Sequence, residues 1–449
     1  MKNRVLFPSA LIAALGGFLF GFDTAVISGT TDRLQSIFAL TSFELGFTVA
    51  AAIIGTVFGA LLAGQPADKY GRKNTLFVLA LLYLFSALGS ALAWDWYSFL
   101  IFRMIGGLGV GASSVVAPMY IAEISPAKYR GRLVALTQFN IVFGMLIAYF
   151  SNYFISSFEM GIADWRWMLG VEAIPALAFF LLLFSIPFSP RWLMSKGKES
   201  EAKQVLEKVG TDHDNVAREL LEIKSSLESN ASGSKEFFFQ RKYLRPISLA
   251  VMIAVFNQLS GINAVLYYAP HIFKMAGAEE GSSLLQSVAI GGTFTIFTMA
   301  AMLVIDRIGR KKLMLVGSVG YIISLAATAW AFYTYGTDFD EAGSLVVLTS
   351  LLVFVAAHAF GQGTVIWVFI SEIFPNRVRA RGQSLGSFTH WFMTAAISWT
   401  FPVIAEISGG HTFAFYALCM IGQLLWVLFV MPETKGISLE DIQKKMECE

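Results

Sequence analysis

Charge is what this sequence has least of. Only 14% of its 449 residues are Asp, Glu, Lys or Arg, while 56% are apolar; a soluble chain carries about a quarter charged residues. An ordinary soluble protein is therefore excluded, because no globular core of this length hides so much apolar surface, whereas a bilayer does. Cysteine is nearly missing. Cys419 lies in an apolar run and Cys448 in a charged tail, so neither a disulfide framework nor a metal-ligand spacing is present. His213, His271 and His411 show no partner in the sequence. A nucleotide-binding loop is lacking, which argues against a primary pump, and Gly107–Gly111 lies inside an apolar run where small residues serve helix packing. No Ser/His/Asp arrangement is identifiable. An enzyme is not expected, nor catalytic residues, a metal or a cofactor. A net charge of +2 gives no case for nucleic acid. Lys2 and Arg4 precede an apolar stretch that no small-residue cleavage site closes, so it reads as a retained first helix.

What is abundant is the apolar run of roughly 20 residues, enough to cross about 30 Å of hydrocarbon. Spans are predicted at 5–29, 44–66, 74–94, 98–121, 133–155 and 166–188, then at 246–272, 284–305, 313–335, 343–371, 382–408 and 411–431. Between the two sets lies a polar stretch with helical apolar spacing at 199–208 and 215–227, and Asn230–Ser234 reads as a flexible joint. The expected organisation is a six-helix bundle over 1–188, a helical linker over 189–244, a second bundle over 245–431 and a tail over 432–449. Nearly all of the 33 Lys and Arg residues fall in one set of loops. The other set holds only Arg33, Arg166 and Lys274, and Arg103 alone sits inside a span. The bias predicts a multi-pass protein of the cytoplasmic membrane with both termini cytoplasmic. That side also makes Asn230-Ala-Ser a poor glycosylation acceptor.

The halves repeat their punctuation. Asp68-Lys-Tyr-Gly-Arg72 closes the second span and Asp306-Arg-Ile-Gly-Arg310 the eighth. Glu123 to Arg132 follows the fourth span and Glu372 to Arg381 the tenth. Both halves begin and end on the same side, so an axis along the membrane normal should relate them, with a ligand site at their interface.

These motifs, with Gly21-Phe-Asp-Thr-Ala-Val-Ile-Ser-Gly29, Pro187-Phe-Ser-Pro-Arg-Trp-Leu193, Gln258-Leu-Ser-Gly-Ile-Asn263 before Tyr267 and Tyr268, and Pro432-Glu-Thr-Lys-Gly436, resemble the sugar porter family of the major facilitator superfamily. The similarity covers almost the whole chain. It implies an all-α membrane protein with the major facilitator fold, twelve transmembrane helices in two pseudo-symmetric six-helix bundles. It also implies transport of a monosaccharide by alternating access, with a proton as the coupled ion, the lipid bilayer as surroundings and a monomer as the working unit. The competing expectations are a passive sugar or polyol facilitator, a drug or metabolite exporter, and a non-transporting sensor. The short tail speaks against the last, and the amides in spans five and seven against the exporter.

Individual residues carry the expected chemistry. A carboxylate at depth is functional by default, and Asp23 lies in the first span while Arg103 is the only basic residue inside any span. The two are expected to face each other, and a pair that opens and closes would bind and release a proton. A pyranose needs neutral hydrogen-bonding groups and an aromatic face. The resemblance assigns that work to Gln138, Asn257, Gln258, Asn263 and Trp367, and brings in His390 where relatives carry Gln or Asn. The alternative role for the amides is interhelical glue. Asp68, Arg72, Glu123 and Arg130, with Asp306, Arg310, Glu372, Arg377 and Glu433, are implied to form cytoplasmic latches. One departure stands out: relatives carry Glu where this chain has Phe188, so Arg191 is expected to lack its acidic partner and the first latch to be looser.

Overall fold

The computed structural model describes residues 5–210, 213–232, 237–375 and 377–436, and these are helical almost throughout. In chain order the first half contains α1 (Leu6–Val26), α2 (Thr31–Ile37), α3 (Ser42–Leu62), α4 (Gly64–Tyr70), α5 (Arg72–Ala91), α6 (Trp96–Ile124), α7 (Ala127–Ser156), α8 (Asp164–Gly170) and α9 (Ala173–Leu182). Three helices fill the polar stretch: α10 (Pro190–Ser195), α11 (Glu199–Lys208) and α12 (His213–Ser232). The second half contains α13 (Leu244–Leu259), α14 (Ile262–Met275), α15 (Glu280–Ile308), α16 (Arg310–Tyr335), α17 (Glu341–Phe360), α18 (Gln362–Ile373), α19 (Arg379–Ile407) and α20 (Gly409–Phe429).

Among the described residues, 11 helical segments are long and apolar enough to cross a membrane. They match eleven of the twelve predicted spans. The twelfth is α19, whose 29 residues reach about 43 Å at 1.5 Å per residue. Ser, Thr, Gln, Gly and His dilute its apolar character without shortening it. Large apolar side chains cover the outside, Ile407 and Phe429 each 81% exposed, as a lipid-facing surface requires.

Polar residues set the helix ends. Asp95 and Ser98 form a reciprocal capping box at the start of α6, and Ser189, Asp340 and Ser408 cap α10, α17 and α20 through their side chains; each satisfies an amide that would otherwise be orphaned. The sequence repeat is a structural repeat. Gly71 before α5 and Gly309 before α16 adopt the same unusual backbone, φ 91°, ψ 150° and φ 99°, ψ 157°, a region closed to residues with a Cβ.

Packing gathers the chain into two compact units. The first contains α1 up to Thr24, Gly55–Met145 and the chain from Arg166 into the central stretch. Its apolar core includes Leu76, Tyr83, Tyr120 and Phe179, where α5 packs on α6 and α9. The second contains Ala25–Ile54, Leu146–Trp165 and the chain after the central stretch. Its core includes Leu249, Leu313, Phe369 and Val427, with α16 against α17 and α20, and α13 against α19. Terminal parts of α1, α3 and α7 thus pack with second-half helices: Tyr149 donates to the Leu266 carbonyl at 2.6 Å, and a Cβ on Gly46 would meet the Trp399 carbonyl oxygen at 1.9 Å. The packing units do not coincide with the sequence halves.

Several predicted spans are broken rather than continuous. Span 246–272 divides at Gly261 (φ 84°), span 343–371 at Gly361, and span 166–188 around Val171 and Glu172. Each break frees backbone groups and turns side chains that a continuous helix would direct elsewhere.

Candidate functional site

In the first unit Asp23 and Arg103 are brought together. Arg103 Nη1 donates to Asp23 Oδ1 at 2.6 Å, and Nη2 reaches Oδ2 and the Asp23 carbonyl, each at 3.3 Å. Both side chains are buried, 3% and 2% exposed. The pair fits because position 106 has no side chain: a Cβ there would stand 2.3 Å from Ser86 Oγ and 3.4 Å from Asp23 Oδ1. Glu172, at the break between α8 and α9, is 1% exposed. It lies within electrostatic range of both partners, and its Oε1 has no hydrogen-bond partner. Two acids and one guanidinium thus share an apolar interior, and the guanidinium is in direct contact with Asp23.

In the second unit the amides form a chain. Gln258 Nε2 donates to Asn257 Oδ1 at 2.8 Å. Asn263 Nδ2 donates to Gln258 Oε1 at 2.7 Å and approaches Thr394 Oγ1 at 3.4 Å. The left-handed turn at Gly261 makes this possible by bringing the first turn of α14 beneath the last turn of α13. His390 on α19 lies 5.0 Å, ring to ring, from both Trp367 on α18 and its neighbour Trp391. Its Nδ1 is buried without a partner, and Trp367 remains 39% exposed. Gln138 lies half-buried on α7, in the first unit.

The charged motifs form two clusters, one in each unit. In the first, Arg72 pairs with Glu123 at 2.9 Å and with the exposed Asp68 at 3.0 Å, and Ser189 donates its hydroxyl to Glu123. Arg130 is exposed and donates Nε to the Ala122 carbonyl at 3.1 Å. In the second, Arg310 pairs with Glu372 at 2.7 Å, and Thr434 donates to Glu372 at 2.6 Å. Glu433 accepts from the backbone N–H groups of Arg310, Lys311, Thr434 and Lys435 at 3.0–3.1 Å. Burial alone would raise its carboxyl, but those four amides hold it below the ordinary glutamate value. Ser189 and Thr434 play one role in the two halves; Phe188 and Glu433 do not. Phe188 stacks on Trp192 and lies under the Lys73 ammonium. The acid that relatives carry at position 188 is missing, but Arg191 lies within electrostatic range of Glu123 and so keeps an acidic neighbour. Arg377 is exposed, and the Asp306 side chain lies outside the described residues.

A family model described as sugar (and other) transporter matches residues 9–446. The chain belongs to this sugar transporter family. It is 38% identical to the D-xylose-proton symporter of Escherichia coli, an alignment covering 100% of this chain and 97% of that protein. It is 37% identical to the arabinose-proton symporter of Bacillus subtilis, over 96% and 93%. Among solved structures, the inward-open form of the E. coli xylose transporter superposes with a TM-score of 0.86 at 36% identity, covering 98% of this chain and 99% of that one. The fold is accordingly the major facilitator fold, two six-helix bundles, and the protein is a multi-pass membrane transporter.

Two features of this sugar transporter escaped the sequence reading. Glu172 was legible as a carboxylate inside an apolar span, the same signal that singled out Asp23. The other is an ionic cluster in the second unit. Asp32 on α2 accepts from His271 Nδ1 at 3.0 Å and Lys274 Nζ at 2.8 Å, and Arg33 pairs with Glu280 at 3.2 Å. His271 is therefore partnered, contrary to the sequence reading. Burial would raise the Asp32 carboxyl, but hydrogen bonds and charge from His271 and Lys274 hold it well below the ordinary aspartate value. Glu280 opens α15 and Arg307 closes it, so this cluster and the Arg310–Glu372–Glu433 cluster lie at opposite ends of the same helix.

Proposed function

We propose that this protein is a proton-coupled monosaccharide transporter that takes up a pentose or hexose by alternating access, working as a monomer in the cytoplasmic membrane with both termini inside. The observation that carries the coupling is the buried Asp23–Arg103 pair with Glu172 beside it. Arg103 supplies Asp23 with its counter-charge at 2.6 Å. When α1 shifts against α6, the carboxylate loses its counter-charge in a place where an isolated charge is costly, and taking up a proton relieves that cost. Sugar binding belongs to Gln138, Asn257, Gln258, Asn263, Trp367 and His390. The amides supply donors and acceptors to ring hydroxyls, and Trp367 an apolar face to the C–H side of the ring. The Arg72–Glu123 and Arg310–Glu372–Glu433 clusters act as cytoplasmic latches, and the sequence halves 1–188 and 245–431 as the moving bundles. The names of the xylose–proton and arabinose–proton symporters among its relatives support this reading.

Proteoliposomes holding the purified protein provide the test. With an inward proton gradient, wild type should accumulate labelled D-xylose, L-arabinose or D-glucose above the external concentration. Asp23→Asn should exchange the same sugar across the membrane without accumulating it. Accumulation by Asp23→Asn equal to wild type would remove Asp23 from the coupling.

A further inference from the structure

The amides of α13 and the indole of Trp367 sit on two broken spans, and a broken helix does not by itself fix the direction of its second half. A buried polar chain lies between the two breaks. Tyr321 on α16, His358 on α17 and Gln362, the first residue of α18, are 0%, 4% and 0% exposed. Tyr321 Oη donates to Gln362 Oε1 at 3.3 Å and meets His358 Nδ1 at 2.7 Å. Gln362 Nε2 donates to the Ile253 carbonyl on α13 at 3.3 Å. A hydroxyl has one proton, so a tyrosine that donates to Gln362 must accept from His358, which places a proton on His358 Nδ1. The donors then run in one direction, from His358 through Tyr321 and Gln362 to the backbone of α13, one turn before Asn257 and Gln258. Ser260, the residue before the Gly261 break, also interacts with Tyr321, and its own hydroxyl donates to the Asn257 carbonyl at 2.7 Å. Gln362 directly follows the Gly361 break.

We propose that Tyr321, His358 and Gln362 are positioning residues: a brace that ties the break in α13–α14 to the break in α17–α18 and so sets Trp367 against the amides of Gln258 and Asn263. The brace touches no sugar. It acts through α18, whose register on α13 is fixed by the Gln362–Ile253 hydrogen bond five residues before Trp367. The inference rests on the sugar site proposed above. Polar side chains used only as glue would need no relay that ends, through Gln362, on the amide-bearing helix, and apolar side chains would fill the same space with no hydrogen bond to satisfy.

The test uses the full-length purified protein in detergent. Binding of D-xylose, L-arabinose and D-glucose is measured by calorimetry, the thermal midpoint on the same samples, and the Trp367 emission as the difference from Trp367→Phe. Tyr321→Phe and Gln362→Leu should each raise the sugar Kd by about tenfold, the scale of one hydrogen bond, and shift the Trp367 emission. The double variant should be no weaker than the weaker single one. His358→Asn, which can keep an N–H near the Nδ1 position, should bind like wild type, and His358→Leu like Tyr321→Phe. Tyr321→Phe removes one oxygen atom and carries the test should a larger change prevent folding. A Tyr321→Phe protein that loses thermal stability while keeping the wild-type Kd and Trp367 emission overturns the brace, as does one that fails to accumulate at all. If wild type binds none of the sugars, the substrate reading fails, and the Trp367 emission alone decides: an unchanged emission in Tyr321→Phe then refutes the brace.

Discussion

Breaking the buried pair from either side should cost far more than removing it whole. Arg103 meets Asp23 at 2.6 Å with both side chains almost fully enclosed, so neither ion can turn to water when the other is lost. Removing one partner of such a pair destabilises by about 3–5 kcal/mol, while replacing both by neutral groups of similar size is often close to neutral. Asp23→Asn belongs at the low end of that range, because the amide oxygen still accepts from the guanidinium. Arg103→Leu belongs at the high end, because it strands the buried Asp23 without a counter-charge, with a second acid, Glu172, in electrostatic range. The double variant should recover most of the loss, a coupling of at least ~2 kcal/mol. At about 2–4 °C per kcal/mol for a domain of bundle size, the single variants should unfold ~6–20 °C below wild type and the double variant within a few degrees of it. Thermal unfolding of the four purified proteins at one pH and ionic strength measures this. Single-variant losses that simply add in the double variant would refute the pair as an energetic unit, and with it the claim that separating the two groups drives proton uptake.

Three further outcomes follow from the clusters at the helix ends. Glu433→Gln should lower stability at neutral pH by ~1 kcal/mol, a modest figure because the carboxylate is partly solvated. Since the folded state holds this carboxyl below its ordinary 4.5, the contribution is complete above that value and fades as pH falls beneath it, so thermal midpoints of variant and wild type should converge in acid. Asp32→Asn removes the shared anchor of His271 and Lys274 and should speed backbone hydrogen exchange in α2 several-fold, about 1 kcal/mol of local stability. Asp68→Asn, whose side chain is 71% exposed and whose pair with Arg72 is a surface contact one turn away, should leave exchange in α4 unchanged.

The spans were legible because a bilayer imposes a length and a composition on every crossing, and eleven helical segments meet both. The breaks were not, because glycine alone does not announce them. Gly107, Gly109 and Gly111 all lie inside the uninterrupted α6, whereas Gly261 and Gly361 end helices. The difference is in what surrounds them. A Cβ on Gly111 would come within 2.0 Å of the Thr56 carbonyl oxygen, so that glycine admits a neighbouring helix. Gly261 instead takes a left-handed turn whose consequence, the Asn263–Gln258 hydrogen bond, appears only once the chain has turned.

The same distinction separates the site residues that could be named in advance from those that could not. Asp23 and Arg103 were a solvable pair because each is a rare residue type in its surroundings, and two rarities in one apolar half invite each other. Glu172 met that criterion and was readable on the same ground. Asp32 and His271, 239 residues apart, did not meet it, because acids and histidines at helix ends near water are ordinary and the sequence contains no rule that matches one end to another. Tyr321, His358 and Gln362 are harder still: tyrosine, histidine and glutamine each occur in transmembrane helices as local glue. Their shared meaning depends on Gln362 reaching a carbonyl on the helix that bears Gln258. Chemistry that resides in one unusual residue can be read from the chain, whereas positioning that resides in a relation between ordinary ones has to be read from the packing.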